Sequence, residues 1–496
     1  MKEKIKKYKP QITIFFVEAV CMILELCSSY LLYPYFGNSN SIWIAIITVI
    51  LLSNCLGNLL GGRICTKARE TRKNYSGTIF FLIAAGISLI LGLNEAVIYF
   101  VQELPLSDNV GAFLCSLILF LPCEMLLGTI PPQIMYHESE KKDYNAKKTG
   151  LIYALSTMGG LLGTAFGGFV LIPHIGCKYI IILCIAVILV FAFIYEPKFW
   201  KKAKNIVCLI VSIGVVFTMA TYKQNSNWLN EDYGNIKVDS QYNRIIVQNG
   251  YNGKDKVRDM LMASGYESST YIEKNKRNDL IFEYFKTLDL NVYKDKTITS
   301  NNSLMIGGAA YQFPKYLISH YKDKKIDVVE IDETVTELAK KYFFLQDCID
   351  EFDPKGERLK LYNADGRIFL NDAPKYDVIL NDAFSGNSPI ATLSTTEFTK
   401  TVKSKLNKDG IYAINVISSM EGDSKRFLCS ECNTLSQQFK NVYIIPASKT
   451  NDNGLLNFLV IATDSELQFK DAVNIDYSDG LILTDDYCPV EYLSRK

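Results

Sequence analysis

Seven apolar stretches crowd the first 221 residues of this 496-residue chain, and beyond Tyr222 none of comparable length follows. No other feature constrains the fold so strongly, because the two halves suit different solvents. A helix needs about 17–25 predominantly apolar residues to cross the hydrocarbon core of a bilayer. The seven stretches meet that length near 11–34, 42–62, 77–101, 110–135, 150–172, 177–195 and 205–221. The first is too long, and too closely followed by the second, to be a cleaved signal peptide. The expectation is an α-helical transmembrane domain over 1–221 in contact with lipid, followed by a soluble region over 222–496.

Lys and Arg alternate between the connecting segments. The flank MKEKIKKYK carries five lysines, 63–73 carries five basic residues, and 136–149 and 196–204 carry four each. The intervening connections carry none, none and Lys178 alone. Basic loops stay on the cytoplasmic side, so the N-terminus is expected there. Seven crossings then predict a multi-pass plasma-membrane protein with 222–496 on the outer face. Gly159, Gly163 and Gly167 recur every fourth residue, as do Gly57 and Gly61, a spacing that lets helix backbones approach closely. Glu18, Glu25 and Glu124 lie inside apolar stretches, where a carboxyl either sits near an interface in its neutral form or marks a polar interior site.

The net charge of +1 hides a second division. Residues 222–496 hold 34 Lys and Arg against 40 Asp and Glu, with no basic stripe. Nucleic acid is therefore excluded as a partner. Nine of the thirteen cysteines lie in 1–221, where they act as small apolar residues. Cys429 and Cys432 form a CxxC, read as two thiols on a helix face, since no second pair or nearby histidine completes a metal site. The three histidines are too scattered for a cluster, and no metal is expected.

From 222 the pattern turns to short strands. The stretch YGNIKVDSQYNRIIVQNG alternates as a β-hairpin does, and 222–300 reads as an N-terminal β-strand region. Over 301–496, strands fit Ser303–Ile306, Ile326–Ile331, Leu359–Tyr362, Tyr376–Asn381 and Gly410–Ile417, with helical patterns between them. Late strands near 441–446 and 456–462 can close the sheet. This alternation predicts an α/β doubly wound parallel sheet, whose ligands bind beyond the C-terminal strand ends. Gly307 and Gly308 follow the first central strand there, and Glu330 ends the second. Asp365 and Gly366 follow the third, and Asp382 ends the fourth. Acids at three successive strand ends beside a glycine turn suit a nucleotide, because an acid can accept hydrogen bonds from ribose hydroxyls.

The segments MIGGAAYQFPKYL, KIDVVEID, NADGRIFL and YDVILNDAFSG resemble the spermidine synthase (polyamine aminopropyltransferase) family, and SQYNRIIV resembles its N-terminal strands. The likeness covers roughly 230–465. The membrane half resembles the seven-helix region of bacterial proteins in which such a domain is fused to a transporter-like bundle. GGRICTKARETRK resembles a cytoplasmic loop of major-facilitator transporters. The resemblance implies a methyltransferase-like Rossmann domain binding an S-adenosyl-type nucleotide, either decarboxylated S-adenosylmethionine or S-adenosylmethionine itself. It implies that Glu330 holds the ribose, that Asp365 and Gly366 lie at the adenine, and that Asp382 accepts a proton from an attacking amine.

Several positions depart from the family pattern. Ala310 stands where an acid meets the donor's aminopropyl amine, and Ser385 stands for the second acid at the diamine. Glu283 replaces a histidine and Asn243 a glutamine, both on the substrate side. Three functions remain open: an aminopropyl (or related alkyl) transferase acting on an amine or other nucleophile, an S-adenosylmethionine-dependent methyltransferase, and a non-catalytic polyamine or nucleoside sensor or transport protein. Homo-oligomerisation is also left open.

Overall fold

The computed structural model describes residues 2–36, 40–71, 76–141, 144–221, 229, 234–262, 265–385, 388–420, 422, 425–447 and 454–494. The chain forms two compact units, residues 1–225 with 238–244, and residues 226–237 with 245–496.

The first unit is helical: α1 Lys2–Phe36, α2 Asn40–Thr71, α3 Ser76–Gln102, α4 Asp108–Leu119, α5 Leu121–Leu127, α6 Ile130–Ser139, α7 Ala146–Phe166, α8 Ile172–Tyr195 and α9 Ala203–Thr221. Among the described residues, six helices are long and apolar enough to cross a membrane on their own. The stretch read as a single span over 110–135 is instead a bent pair, turning by 49° between Leu119 and Leu121. Pro122 in the first turn of α5 suits a fresh helix start, where its missing N–H leaves no bond unmade. Counted as one span, the pair brings the total to seven. The glycine spacing does what it promised on α7: a Cβ at Gly163 would lie 2.7 Å from the Ala19 backbone of α1. Glu124, on α5, is buried; one carboxyl oxygen accepts from the Cys21 thiol at 3.1 Å and the other has no hydrogen-bond partner.

The second unit begins with a four-stranded sheet in the order β1 (Asn235–Asp239), β2 (Arg244–Asn252), β3 (Asp255–Met262) and β4 (Gly265–Tyr271). The short helix α10 (Glu283–Leu288) leads into the main domain. There β5 Asn302–Ile306, β6 Lys325–Glu330, β7 Leu359–Asn363, β8 Tyr376–Asn381 and β11 Leu406–Ser418 alternate with helices α11 Gln312–His320, α12 Glu333–Tyr342, α13 Leu345–Phe352, α14 Gly366–Asp372 and α15 Thr396–Ser404. A short ribbon, β9 Phe384–Ser385 with β10 Ser388–Pro389, follows β8. Helix α16 (Lys425–Ser436), strands β12 Asn441–Pro446 and β13 Leu456–Thr463, and helix α17 (Val490–Leu493) complete the unit.

The seven-stranded sheet runs β12-β13-β11-β8-β5-β6-β7. Its strands are buried on both faces, as near-continuous apolar runs require. Leu304, Ile306 and Ile379 pack with α14, α15 and α16 on one side, and Met305, Val378 and Leu380 pack with α10, α11 and α13 on the other. The expected all-parallel sheet needs one correction. Strand β13 lies antiparallel to both β11 and β12, because no crossover helix separates β12 from β13. Cys429 and Cys432 both lie on α16 with free thiols, as a helix-face pair does.

Lys315 of α11 is fully buried, and its ammonium donates to Thr270 Oγ1 at 2.9 Å and to the carbonyls of Arg277 and Phe343 at 3.3 and 2.6 Å. Burial lowers its pKa from 10.5 to about 7. Between those values the unfolded chain holds one proton more, so this group's contribution to stability rises with pH across that window. Lys315→Met leaves the buried Phe343 carbonyl without its donor, while Arg277 O keeps that of Thr270, and should cost about 1–3 kcal/mol. The check is a melting-temperature series from pH 7 to 10. The gap between parent and variant should widen with pH, and a constant gap would contradict the buried-amine account.

Candidate active site

Strand β5 stops at Ile306 because Gly307 turns the chain with φ +91°. A Cβ there would sit 2.7 Å from the carbonyl oxygen of Asp382, so only glycine lets the ends of β5 and β8 come together. Gly307 donates its N–H to Val329 O at 2.9 Å, and Asp382 donates to Ile306 O at 3.0 Å. Beyond Gly308 the turn continues without glycine. Ala309 (φ +44°) and Tyr311 (φ +54°) take left-handed backbone, which costs about 1 kcal/mol or more for such residues. Packing offsets this. The Tyr311 ring lies against Gly308, and its hydroxyl pairs with Thr336 Oγ1 at 2.7 Å. Ala310 is wholly buried and brings no polar group to the turn.

Glu330 ends β6 with its carboxylate on the turn. One oxygen accepts from Gly308 N–H at 2.8 Å and Ala309 N–H at 3.4 Å, and the other from Asp332 N–H at 3.0 Å. Burial pushes the carboxyl up from its ordinary range, and the amide bonds pull against that. The oxygen that accepts from Asp332 keeps one lone pair, so the same carboxylate can brace the turn and accept one further hydrogen bond. Asp365 caps α14, one oxygen accepting from Arg367 N–H at 2.8 Å and Ile368 N–H at 3.0 Å. Gly366 is needed behind it, because a Cβ there would meet Ile306 Cγ2 at 2.5 Å.

Asp382 follows β8 at the opposite lip of the turn. Tyr284 of α10 donates its hydroxyl to one carboxyl oxygen at 2.9 Å, and Asn415 of β11 donates its amide to the other at 2.9 Å. Asn457 of β13 donates to Asn415 Oδ1 at 2.9 Å, fixing which way that amide points. Burial raises the Asp382 carboxyl to about 7, against the pull of Asn415 and Tyr284. A carboxylate near neutrality in its pKa and held by two donors suits proton acceptance at physiological pH.

The structure thus gathers Gly307, Gly308, Glu330, Asp365, Gly366 and Asp382 at one sheet edge. Three further residues were expected on the substrate side. Glu283 is exposed and paired with Lys286 at 2.8 Å. Its neighbour Tyr284 reaches Asp382 instead, because consecutive helical residues point about 100° apart. Asn243 lies in the β1–β2 turn, within the first compact unit, where its carbonyl accepts from Ser240 N–H at 2.8 Å. The backbone of Ser385 lies in β9 opposite Ser388; its side chain is outside the described residues. Sequence reasoning missed Tyr284, Asn415 and Asn457. The two asparagines had a signal, as polar residues inside the apolar strands YAINVIS and NFLVIAT.

Residues 291–471 match the spermine/spermidine synthase domain family. A polyamine aminopropyltransferase of Vibrio vulnificus is 31% identical over 120 residues, 23% of this chain and 38% of that protein. A probable polyamine aminopropyl transferase of Bifidobacterium longum is 28% identical over 254 residues, 50% of this chain and 52% of that protein. The chain therefore spans about half, or less, of these curated relatives. A crystal structure of a probable spermidine synthase from Corynebacterium glutamicum aligns with a TM-score of 0.40 and 19% identity, over 47% of this chain and 81% of that one.

The hydrogen bond from Tyr284 favours the charged form of Asp382, so its removal must raise the pKa. Tyr284→Phe should move the titration of Asp382 up by about one pH unit, the equivalent of one hydrogen bond to a charged group. Infrared difference spectra of the carboxyl band, with Asp382→Asn as the blank, read this directly. An unmoved midpoint would show that the hydroxyl does not hold the carboxylate.

Proposed function

We propose that this chain, whose C-terminal half carries a spermine/spermidine synthase domain, transfers an aminopropyl or related alkyl group from an S-adenosyl-type donor to an amine, with Asp382 as the proton acceptor. The observation that carries this reading is the setting of Asp382, a carboxyl raised to about 7 and held by Tyr284 and Asn415. The cradle fits a nucleoside. Glu330 offers its one remaining lone pair for the ribose, and one oxygen of Asp365 is left over from capping α14 for a base amino group. When bound, the donor supplies a sulfonium-activated carbon and a neutral thioether leaving group.

The chain's own part is positioning and proton transfer. Asp382 takes a proton from the acceptor ammonium, freeing the nitrogen lone pair. That pair forms the new C–N bond while the C–S electrons leave with sulfur, so no charge is left unbalanced. Tyr284 and Asn415 hold the carboxylate in one orientation, which sets where the nitrogen sits. The base acts only when ionised, so transfer rises with pH through about 7. Methyl transfer from S-adenosylmethionine is the second reading, and Ala310 favours it, since no acid stands at the aminopropyl amine.

Asp382→Asn keeps the shape and removes the base. Turnover should fall by about 10²–10⁴-fold, the usual worth of a positioned general base, while S-adenosyl affinity measured by calorimetry stays within twofold. Full activity in the Asn variant would make the carboxylate structural and remove Asp382 as the proton acceptor.

The membrane reading is part of the same proposal. With the basic N-terminal flank inside and the bent pair counted as one span, residues 222–496 lie on the outer face of the plasma membrane. Lys254, exposed on the β2–β3 turn, offers a probe. Lys254→Cys should react with a membrane-impermeant maleimide in intact cells above the level of the parent. Labelling only after lysis would mean that the bent pair, α4 with α5 and α6, does not cross.

A further inference from the structure

Helix α1 carries a polar face along a stretch that is otherwise apolar. Gln11, Glu18, Cys21, Glu25 and Ser28 follow one another at intervals of seven, three, four and three residues, which puts them on one side of a helix. At the rise of an α-helix the row extends about 25 Å, most of the roughly 30 Å thickness of a bilayer's hydrocarbon core. Glu124 of α5 meets the middle of this row. It is 1% exposed, one carboxyl oxygen accepts from the Cys21 thiol at 3.1 Å, and the other has no hydrogen-bond partner. Glu18 and Glu25 lie close enough to act on its charge, and Glu18 bonds in turn to Ser156 of α7. Gln11 Oε1, at the basic N-terminal end of the row, is likewise buried without a partner.

Among the described residues no Lys, Arg or His pairs with any of the three carboxyls. A buried carboxyl with an unsatisfied oxygen and no cation beside it is costly in an apolar span, and such groups mark ion and proton pathways. The missing partner is positive and small. Thiols crowd the carboxyl, Cys21 on α1, Cys123 on α5 and Cys184 on α8, whereas a hard metal cation calls for a shell of oxygens. A proton needs one oxygen only.

We propose that Glu124 binds an exchangeable proton within the helical unit, and that the polar face of α1 is the route between this proton and water. As the proton leaves Glu124, the carboxylate of Glu18 or Glu25 accepts it, so one carboxyl ionises while its neighbour becomes neutral. The titratable groups that face Glu124 are these two acids and the three thiols. Helix α2 brings the Asn54 amide, 4.0 Å from the Cys21 sulfur, and α3 brings the Ile83 carbonyl, 3.9 Å from that of Cys123. Neither titrates. The inference rests on the helical unit lying in a bilayer. It is independent of the transfer reaction and of the side on which residues 222–496 stand.

Infrared spectroscopy of the full chain in phosphatidylcholine vesicles tests this, with Glu124→Gln, a neutral side chain of the same shape, as the blank. The difference spectrum should show a protonated carboxyl band that shifts in D2O and is lost as the pH rises from about 5 to about 10. Glu18→Leu or Glu25→Leu should slow the D2O shift by roughly tenfold or more, and the variant that does so marks the side from which the proton comes. No band, a band indifferent to D2O and pH, or an exchange rate that neither α1 variant changes would each overturn the proposal. Loss of the band at constant pH in sodium chloride, but not in choline chloride, would overturn it as well, by making the ligand a metal cation. The failures are distinguishable. A chain that does not float with the vesicles loses the membrane reading and this site with it, and a chain that floats with an unresponsive band loses this site alone.

Discussion

Everything at the site depends on one close approach, the packing of Gly307 against the Asp382 carbonyl. With 2.7 Å between that oxygen and where a Cβ would stand, the ends of β5 and β8 can meet only if the first residue past β5 has no side chain. The meeting sets two things at once. It brings Asp382 to the lip of the turn, and it aims the next two amides, of Gly308 and Ala309, at Glu330. The neighbouring strand end is fixed in turn by Gly366, which lets α14 start against Ile306. The gathering of these groups beyond the strand ends follows from backbone geometry before any ligand-facing side chain is considered.

Two carboxylates at the ends of β6 and β8, the strands on either side of β5, then acquire different characters from their donors. Glu330 accepts three backbone N–H bonds, which bind it into the scaffold. Asp382 accepts only side-chain bonds, from Tyr284 and Asn415, and so remains the group whose proton can be moved without unmaking the fold. Similar residues in similar places are thus given different settings by what surrounds them.

Much of this was legible in the sequence, for physical reasons. Strands buried on both faces read as apolar runs, and the acids that follow them stand out, so Glu330, Asp365 and Asp382 were placed correctly at strand ends. Tyr284 and Asn415 were not found, because each reaches Asp382 from an element remote in sequence, and only packing decides which way a side chain points. Glu283 shows the same limit, since one step along α10 exchanges a solvent-facing acid for a hydroxyl on Asp382. The apolar stretches gave the helices of the first unit but not the break near Phe120. Hydropathy averages over a bend that a single proline in a first turn marks only weakly. The antiparallel β13 was equally hidden, because strand direction is set by the connection and not by the strand's own residues.

The most direct test of the account is to identify the product of the purified full-length chain, incubated with butane-1,4-diamine and either decarboxylated S-adenosylmethionine or S-adenosylmethionine, by mass spectrometry. The account predicts an N-alkylated amine together with the donor's neutral thioether in equal amounts, formed faster above pH 7 than below it. Donor binding with no alkylated amine from either compound at any pH would contradict it.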